Sequence, residues 1–301
     1  MVVCIGEILA DMIGEEKNGI ITYERKAGGA PFNVACALKK FGSEVKFVGN
    51  VGDDLIGEFL IKFASDFGMD TSYINKDKDK NTTLAFVELN QEGERSFCFY
   101  RKNTADYFLP KVSDQLLEKA DIVCIGSLMM SSESCVNYAL DIIERAHELN
   151  KLVAFDVNYR TDIFRDTGSA VKTYKKILEK ADIVKFSEDE VQIFTEKYIE
   201  RELNGKLVLI TLGKNGSEWR YKGNKNSQSS ITVKVVDTTG AGDAFFAGAL
   251  SVLDKVKDKN FTFEQLDSAL KFGNVAGALN TTGRGAIDNL PSLETINQYI
   301  K

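Results

Sequence analysis

The stretch V-V-D-T-T-G-A-G-D-A-F-F-A-G-A-L, residues 235–250, carries the strongest local signal in this sequence. Its β-branched start predicts a strand that ends at Asp237, and the apolar residues after the glycines predict an amphipathic helix from about Ala241. Between the two elements, Gly240, Ala241 and Gly242 form a turn of small residues at the N-terminus of the helix. Backbone N–H groups at such a position have no partner inside the helix, so they favour an anion, above all a phosphate group in transfer.

Asp243 lies in the first turn of this predicted helix, beside the candidate anion hole. A carboxylate there can accept the proton of a hydroxyl group as its oxygen attacks phosphorus. An acid in the first turn also offsets the helix dipole without any function, and glycines before a helix often only make a turn. The pattern therefore predicts a phosphoryl-transfer site and leaves an ordinary helix start as the alternative.

On either side of this stretch, short β-branched runs alternate with longer amphipathic segments. This alternation predicts an α/β fold with a largely parallel sheet and helices on both faces, and with ligands beyond the carboxyl ends of the strands. The predicted strands are residues 2–5, 45–51, 122–125, 152–156, 183–186 and 207–211, and the predicted helices are residues 31–41, 55–67, 133–150, 170–180, 240–253 and 263–280.

Two stretches depart from the alternation. Residues 81–100 resemble a hairpin that turns at residues 91–94, and residues 12–26 could supply another pair of strands. We therefore expect a single domain over residues 1–301, with a small β lid formed by approximately residues 12–27 and 81–107. Lids of this kind often exclude water from a reactive site. The polar residues 223–230 are expected to form a surface connection.

The charge balance bears on the class of partner. The 301 residues contain 38 Lys and Arg against 44 Asp and Glu, which gives a formal net charge of −6. This balance argues against nucleic acid or an anionic membrane as the partner, because both favour a basic surface. The start M-V-V-C-I-G-E has an acid too early for a signal peptide, and no apolar run approaches membrane-spanning length. A cytoplasmic location is the expectation.

Histidine and cysteine usage restricts the chemistry further. The single histidine, His147, lies in a segment that is typical of a solvated helix face, so proton transfer is expected to use a carboxylate. The five cysteines are odd in number and contain no C-x-x-C, which favours buried reduced thiols over disulfides or metal ligands.

A second signal is K-A-G-G-A-P-F-N-V-A, residues 26–35. Gly28 and Gly29 place no side chain at the mouth of a helix, which lets a small polar ligand approach the backbone. Asn33 offers a donor and an acceptor suited to vicinal hydroxyls, and Asp11 could accept two sugar hydroxyls. Taken alone, Asp11 could equally be an ordinary loop acid.

Together these motifs resemble the ribokinase-like sugar kinases, also called the PfkB carbohydrate kinases. G-G-A-P-F-N-V-A, with Gly42 and Gly52 after it, resembles the N-terminal signature of the family, and D-T-T-G-A-G-D-A-F-F-A-G-A resembles its C-terminal signature. The two lie about two hundred residues apart, in the family's order, and the resemblance covers essentially the whole chain. It implies a ribokinase-like three-layer αβα fold with a mostly parallel central sheet and a small β lid.

The resemblance also implies roles for individual residues. Asp243 matches the catalytic base, and Gly240, Ala241 and Gly242 match the anion hole. F-C-F-Y-R-K-N-T-A-D, residues 97–106, resembles the lid of fructokinases, and F-D-V-N-Y-R, residues 155–160, resembles a segment with an arginine near the reacting groups. The implied sugar-binding residues are Asp11, Gly28, Gly29, Asn33, Arg101 and Arg160.

For the nucleotide, I-T-L-G-K-N-G-S resembles the family's binding turn and implies Thr211, Gly213 and Gly216, while Asn274 matches the adenine pocket. Many relatives carry N-x-x-E, tied to magnesium and phosphate, where this chain has Ser187-Glu188-Asp189-Glu190. Glu190 is the implied ligand, although S-x-x-E is also a capping box. Asp237 and Thr239 match a monovalent-cation site, or they could only fix the turn.

The resemblance implies an ATP-dependent sugar kinase with Mg²⁺ and, as an activator, K⁺; its substrates are ATP and a small sugar, and a fructokinase that makes fructose 6-phosphate is the first expectation. A 2-keto-3-deoxygluconate kinase is the alternative, because Arg101, Arg160 and Lys102 could bind the carboxylate of that substrate. A sugar- or nucleotide-binding sensor without catalysis is the alternative from another class. Apolar lid residues (Phe86, Phe97 and Phe99) predict a homodimer through the lid.

Overall fold

The computed structural model describes residues 1–89, 95–164, 166–256 and 259–300. Its strands alternate with helices along most of the chain, as the sequence predicts. In chain order the strands are β1 (Val2–Ile5), β2 (Leu9–Lys17), β3 (Ile20–Gly28), β4 (Val45–Gly52), β5 (Ile74–Asp77), β6 (Leu84–Leu89), β7 (Arg95–Tyr100), β8 (Ile122–Ile125), β9 (Leu152–Asp156), β10 (Ile183–Ser187), β11 (Leu207–Thr211), β12 (Ser217–Tyr221) and β13 (Asn224–Gln228).

Within the described residues, nine strands form the central sheet in the order β13-β12-β11-β10-β9-β8-β1-β4-β5. All neighbours from β11 to β5 are parallel, and β12 and β13 extend one edge as antiparallel strands. The carboxyl ends of the parallel strands therefore meet along one side of the sheet, which is where ligands bind in open α/β sheets.

Side chains of β1 alternate between two hydrophobic cores, one on each face of the sheet. Val2 and Cys4 belong to the first core, and Val3 and Ile5 belong to the second. The helices that pack in the first core are α1 (Ala30–Lys40), α2 (Leu55–Asp66), α8 (Ala241–Leu253), α9 (Phe263–Asn280) and α10 (Leu293–Ile300). Those in the second are α3 (Asp114–Lys119), α4 (Glu133–Glu148), α5 (Thr167–Leu178), α6 (Glu188–Phe194) and α7 (Glu196–Glu202). The three-layer architecture is thus confirmed.

A second, smaller sheet has the strand order β3-β2-β6-β7. β2 pairs antiparallel with β3 and parallel with β6, and β6 pairs antiparallel with β7. Residues 12–26 and 81–100 therefore supply strands of one sheet, as predicted, and the predicted hairpin turn at residues 91–94 lies outside the described residues.

Two local predictions are wrong. No strand ends at Asp237; instead the N–H groups of Val236 and Asp237 donate to the carbonyl of Thr281, so this segment bonds to the end of α9 rather than to a sheet. Conversely, most of residues 223–230 form the strand β13. Its side chains are largely exposed because it is an edge strand, so its polar composition resembled that of a loop.

The environments of His147 and of four of the five cysteines agree with the expectations. His147 is exposed near the end of α4, where its Nε2 lies 3.0 Å from Asp182 Oδ2. Four cysteines are buried and Cys98 is exposed, all as free thiols. None of the described helices is long and apolar enough to cross a membrane.

Candidate active site

The N-terminus of α8 forms the centre of the candidate site. Gly240 has φ +73°, and a Cβ at this position would lie 2.6 Å from the Cβ of Ala286. Only glycine meets both conditions at low cost. In the described part of the chain the amides of Gly240 and Gly242 meet no acceptor, whereas the N–H of Ala241 donates to the carbonyl of Thr238 at 3.2 Å. The prediction of three unpaired amides is therefore wrong for Ala241.

The turn before α8 is held by the carboxylate of Asp237. Its Oδ1 accepts from the N–H and the hydroxyl of Thr239 at 2.8 and 2.7 Å, and its Oδ2 accepts from the N–H of Gly285 at 3.0 Å. Asn280 donates through Nδ2 to the carbonyl of Thr239 at 3.1 Å, and its Oδ1 is buried without a hydrogen-bond partner. Asp237 and Thr239 thus fix the turn, and their role toward a monovalent cation stays a prediction.

Two cavities meet at this turn. Thr238 and Gly242 line both of them. The larger cavity, of about 780 Å³, is lined by Ala241 and by four residues of the predicted nucleotide site, Thr211, Gly213, Gly216 and Asn274. The smaller cavity, of about 320 Å³, is lined by seven further predicted residues, Asp11, Gly29, Asn33, Arg160, Thr239, Gly240 and Asp243. The fold therefore brings the two groups of motifs to adjoining cavities with the α8 N-terminus between them.

Asp243 lies in the wall of the smaller cavity and is joined to the other signature motif. Asn33, on the first turns of α1, donates through Nδ2 to Asp243 Oδ2 at 2.8 Å, and the Oδ1 of Asn33 is buried without a partner. Burial raises the pKa of Asp243 above its ordinary value, against the opposing effects of the Asn33 hydrogen bond and of the positive charges of Lys185 and Arg160. A base whose pKa is moved toward neutrality is better suited to accept a proton.

The loop between β1 and β2, the start of β2 and the end of β3 form another part of the site. Gly28 does not line the cavity, but a Cβ there would lie 2.1 Å from Asp11 Oδ2, so this glycine leaves room for the Asp11 carboxylate. Glu7 lines the cavity, and within the described residues its two buried oxygens meet no partner in good hydrogen-bond geometry, although the backbone N–H groups of Glu7 and Ala30 are close enough to oppose the rise of its pKa. Burial raises the pKa of Glu7 to about 8, so its carboxyl group is mostly neutral at pH 7.

Arg101 does not line either cavity in this conformation. Its Nε donates to Asp106 Oδ2 at 2.5 Å and its Nη1 to Ser131 Oγ at 2.6 Å, while the guanidinium lies 4.1 Å from the ring centre of Tyr107. Arg101 is buried, and its Nη2 meets no hydrogen-bond partner among the described residues. A direct contact between Arg101 and a sugar stays a prediction.

Glu190 also lies outside both cavity walls. Its Oε1 accepts from the N–H of Tyr159 at 2.6 Å and its Oε2 from the N–H of Ser187 at 2.7 Å, while Ser187 Oγ accepts from the N–H of Glu190. Ser187 and Glu190 therefore form a complete capping box at the start of α6. Its role toward a nucleotide stays a prediction.

Besides Glu7, sequence reasoning missed Lys185, which lines the smaller cavity, and its partner Asp156. Lys185 lines this cavity, and its Nζ binds both carboxylate oxygens of Asp156 at 2.8 and 2.9 Å. The sequence contains indications of this pair: Lys185 interrupts the apolar run of β10, and Asp156 is the first residue of the motif D-V-N-Y-R that also contains Arg160. A charged side chain inside a buried strand costs folding free energy unless it is paired, so each of these residues predicts a partner of opposite charge.

The comparisons with known proteins agree with this geometry. The family described as pfkB family carbohydrate kinase matches residues 1–293. A probable fructokinase-2 of Arabidopsis thaliana is 36% identical over 309 residues, which cover 97% of this chain and 93% of the relative.

Two solved structures have the same architecture. A fructokinase from Xylella fastidiosa with bound ATP superposes with a TM-score of 0.90 at 29% identity, over 99% of this chain and 97% of the other. A fructokinase double mutant from Vibrio cholerae O395 with fructose, ADP and a potassium ion superposes with a TM-score of 0.89 at 29% identity, over 100% and 98% of the two chains.

The chain belongs to the pfkB family of carbohydrate kinases. It is a phosphotransferase that acts on a sugar hydroxyl and binds ATP. The ribokinase-like fold inferred from the two signature motifs is thereby confirmed.

Proposed function

We propose that this kinase transfers the γ-phosphoryl group of ATP to the primary hydroxyl of D-fructose and releases ADP and fructose 6-phosphate. The observation that carries the proposal is the pair of adjoining cavities that share Gly242 and Thr238, with Asp243 in the smaller one. A nucleotide in the larger cavity would present its terminal phosphate at the α8 N-terminus, and a sugar in the smaller cavity would present a hydroxyl to Asp243. The names of the relatives supply fructose as the sugar.

In the proposed reaction Asp243 accepts the proton of the sugar hydroxyl. The sugar oxygen forms its bond to the γ-phosphorus while the bond from that phosphorus to the bridging β–γ oxygen breaks, and ADP leaves with the electron pair. The amides of Gly240 and Gly242 donate to the oxygens of the transferring group, where charge is concentrated during the reaction. Asn33 orients Asp243 through Nδ2 and offers its unpartnered Oδ1 to a sugar hydroxyl.

The charge of the smaller cavity favours a neutral sugar over the alternative keto acid. Asp11 and Asp243 line it, and the third acidic side chain in its wall, that of Glu7, is mostly neutral at pH 7. Of the two cationic side chains in the same wall, Lys185 is already bound to Asp156, which leaves Arg160. A carboxylate substrate would enter beside Asp11 and Asp243, and among the described lining residues Arg160 would be the cation that receives it, so 2-keto-3-deoxygluconate is disfavoured.

Lid strands contribute to the same cavity. Leu9 and Asp11 of β2 and Phe99 of β7 line it together with residues of the central sheet. We infer that the second sheet covers the sugar, so that residues 12–27 and 81–107 act as a lid on one domain. Excluding water in this way would suppress hydrolysis of ATP.

Two cations belong to the proposal. In the described part of the chain no three His, Cys, Asp or Glu side chains are grouped to hold a metal ion, so the residues do not form a protein cage for Mg²⁺. Mg²⁺ typically keeps several waters and binds substrate phosphates, and it would enter with ATP. For K⁺, the buried and unpartnered Oδ1 of Asn280, next to Asp237 and Thr239, is an oxygen ligand of the type that a hard cation accepts.

The direct test is a coupled assay of ADP release with ATP and Mg²⁺ against fructose, 2-keto-3-deoxygluconate, ribose, adenosine and tagatose 6-phosphate. We expect turnover on fructose well above that on the other compounds, and a higher rate in KCl than in choline chloride at equal ionic strength. Preference for the keto acid would overturn the assignment of fructose. ATP binding without turnover on any sugar would favour the non-catalytic sensor.

The lid also carries a proposal about assembly. Ile20, Ile21 and Tyr23 of the edge strand β3 are 66, 50 and 38% exposed. Exposed apolar side chains on a sheet edge favour pairing with a second sheet, and we infer a homodimer through the lid. Light scattering should give the mass of a dimer for the wild type and a monomer for Ile21→Glu. A monomeric wild type at micromolar concentration would contradict this proposal.

A further inference from the structure

Lys185 lies in an unusual place for a lysine. It is in the middle of the central sheet, on β10 between β9 and β11, and the residue is 5% exposed. Its register partner on β9 is Asp156, and the Lys185 Nζ binds both oxygens of that carboxylate. Lysine is almost never fully buried unless it is paired, so Asp156 accounts for how the ammonium is tolerated but not for why it is present.

The ammonium lies at the proposed anion hole. A Cβ built on Gly242 would be 3.2 Å from Lys185 Nζ, and the amide of Gly242 is one of the two that meet no acceptor in the described residues. Lys185 also lines the smaller cavity together with Gly240 and Asp243. An anion bound by the Gly242 amide would therefore lie within reach of the Lys185 ammonium.

The surrounding charges keep this ammonium protonated. Burial lowers the pKa of Lys185, but the negative charges of Asp156, Glu190 and Asp243 outweigh this effect, and the pKa lies above its ordinary value. The same cluster raises the pKa of Asp156 to about 7, mainly through burial and against the attraction of Lys185. Asp156, Glu190 and Asp243 thus lie around a single ammonium, and a neutral side chain at position 185 would leave these acidic groups without it.

We propose that Lys185 is a catalytic residue that donates a hydrogen bond to the phosphoryl group in transfer, and that Asp156 is a positioning residue that holds the ammonium beside Gly242. This inference rests on the proposed function, since it requires a phosphate at the α8 N-terminus. Lys185 supplies a full positive charge where Gly240 and Gly242 supply only amide dipoles. It keeps its proton throughout, because its task is to balance charge on the transferring oxygens.

The test compares Lys185→Met with Lys206→Met. Lys206 is a matched control. It is a partly buried lysine immediately before β11, its ammonium donates to the carbonyl of Ala181, and it lines neither cavity. We expect Lys185→Met to lower kcat by about 100-fold at saturating sugar and ATP, as for loss of a donor to a developing charge, with a change in the sugar KM of less than about threefold. Lys206→Met should retain wild-type kcat.

A second measurement needs no sugar. Because Lys185 is placed at the terminal phosphate, Lys185→Met should weaken binding of a non-hydrolysable ATP analogue by about tenfold and leave ADP affinity unchanged, as measured by calorimetry. This measurement separates the two proposals. If the wild type turned over none of the sugars but Lys185→Met still lost affinity for the ATP analogue and not for ADP, the fructokinase assignment would be overturned and the role of Lys185 supported. Equal effects on both nucleotides, or a folded Lys185→Met variant with wild-type kcat, would overturn the role of Lys185.

Asp156→Asn tests the positioning role and stands in if Lys185→Met does not fold. The amide keeps the shape of the carboxylate but removes the charge that holds the ammonium. For Asp156→Asn we expect the same selective loss of affinity for the ATP analogue, but a smaller one than in Lys185→Met. Lys185→Arg keeps the positive charge, and it should recover part of the kcat that Lys185→Met loses. Wild-type selectivity between the ATP analogue and ADP in Asp156→Asn would contradict the positioning role.

Discussion

Glu7→Gln should stabilise the protein relative to the wild type, by an amount that grows as the pH rises. The Glu7 carboxyl is 1% exposed, neither oxygen has a hydrogen-bond partner, and burial raises its pKa from 4.5 to about 8. In the unfolded chain the same group titrates near its ordinary value. Between these two pKa values the folded state holds a proton that the unfolded state has lost, so the free energy of unfolding of the wild type falls as the pH rises from 4.5 to 8.

The size of this effect follows from the two pKa values. One pKa unit corresponds to about 1.4 kcal/mol, so ionising Glu7 costs the wild type about 5 kcal/mol across the whole window. Glutamine has nearly the shape of a protonated glutamate and does not titrate. The variant should therefore match the wild type near pH 4.5 and exceed it by several kcal/mol above pH 8.

The assay is urea unfolding, followed by circular dichroism, of both proteins at intervals from pH 5 to pH 9. Glu144→Gln is the matched control, since Glu144 is exposed on α4, and its difference from the wild type should not change with pH. A Glu7→Gln difference that is equally constant would refute the reasoning. It would mean that a positive charge stabilises the Glu7 carboxylate in solution, and Arg101 is the cation whose attraction opposes the rise of the Glu7 pKa.

Three further outcomes are expected. Ser187→Ala removes one half of the capping box and should lower the free energy of unfolding by about 1 kcal/mol, with kcat within twofold of the wild type; a large loss of kcat would instead assign Ser187 to the phosphates. Gly240→Ala would force an alanine into a left-handed conformation with its Cβ 2.6 Å from the Cβ of Ala286, and it should lower kcat at least about tenfold. A wild-type kcat would show that catalysis does not depend on this conformation of the turn. In a pH series, kcat/KM should fall on the acid side with an apparent pKa above 3.8, because burial raises the pKa of Asp243 and only the carboxylate form accepts a proton; an acid limb at or below 3.8 would argue against this base.

Much of the fold could be predicted because it depends on local pattern. The buried strands of the sheet are apolar and β-branched over their whole length, and the helices between them are amphipathic, so periodicity identifies both. The strand β13 was missed because an exposed edge strand has no buried face to impose such a pattern. The false strand before Asp237 has the opposite cause, because Val235 and Val236 have strand composition but are 57 and 54% exposed, and the backbone bonds to α9.

The site divides in the same way. Gly29 and Asn33 of one signature motif and Gly240 and Asp243 of the other line the same cavity. Each motif is a strand or loop followed by a helix N-terminus, a local arrangement that fixes its own geometry. Lys185 of β10 and Glu7 of the loop after β1 line one cavity, and Asp156 of β9 binds Lys185. Only the order of the sheet brings these three segments together. Arg101 donates to Asp106, five residues further along the chain, and the sequence pattern alone does not indicate this pair. A contact between Arg101 and the sugar stays a prediction.

The central claim is that Asp243 is the base for phosphoryl transfer to fructose at the N-terminus of α8. Asp243→Asn keeps the side-chain shape and can still meet Asn33, but it cannot accept the proton. With ATP, Mg²⁺ and fructose, the account predicts that kcat for ADP release falls by about 10³-fold while the dissociation constant for ATP stays within about threefold of the wild type. An Asp243→Asn variant that releases ADP at the wild-type rate would contradict the account.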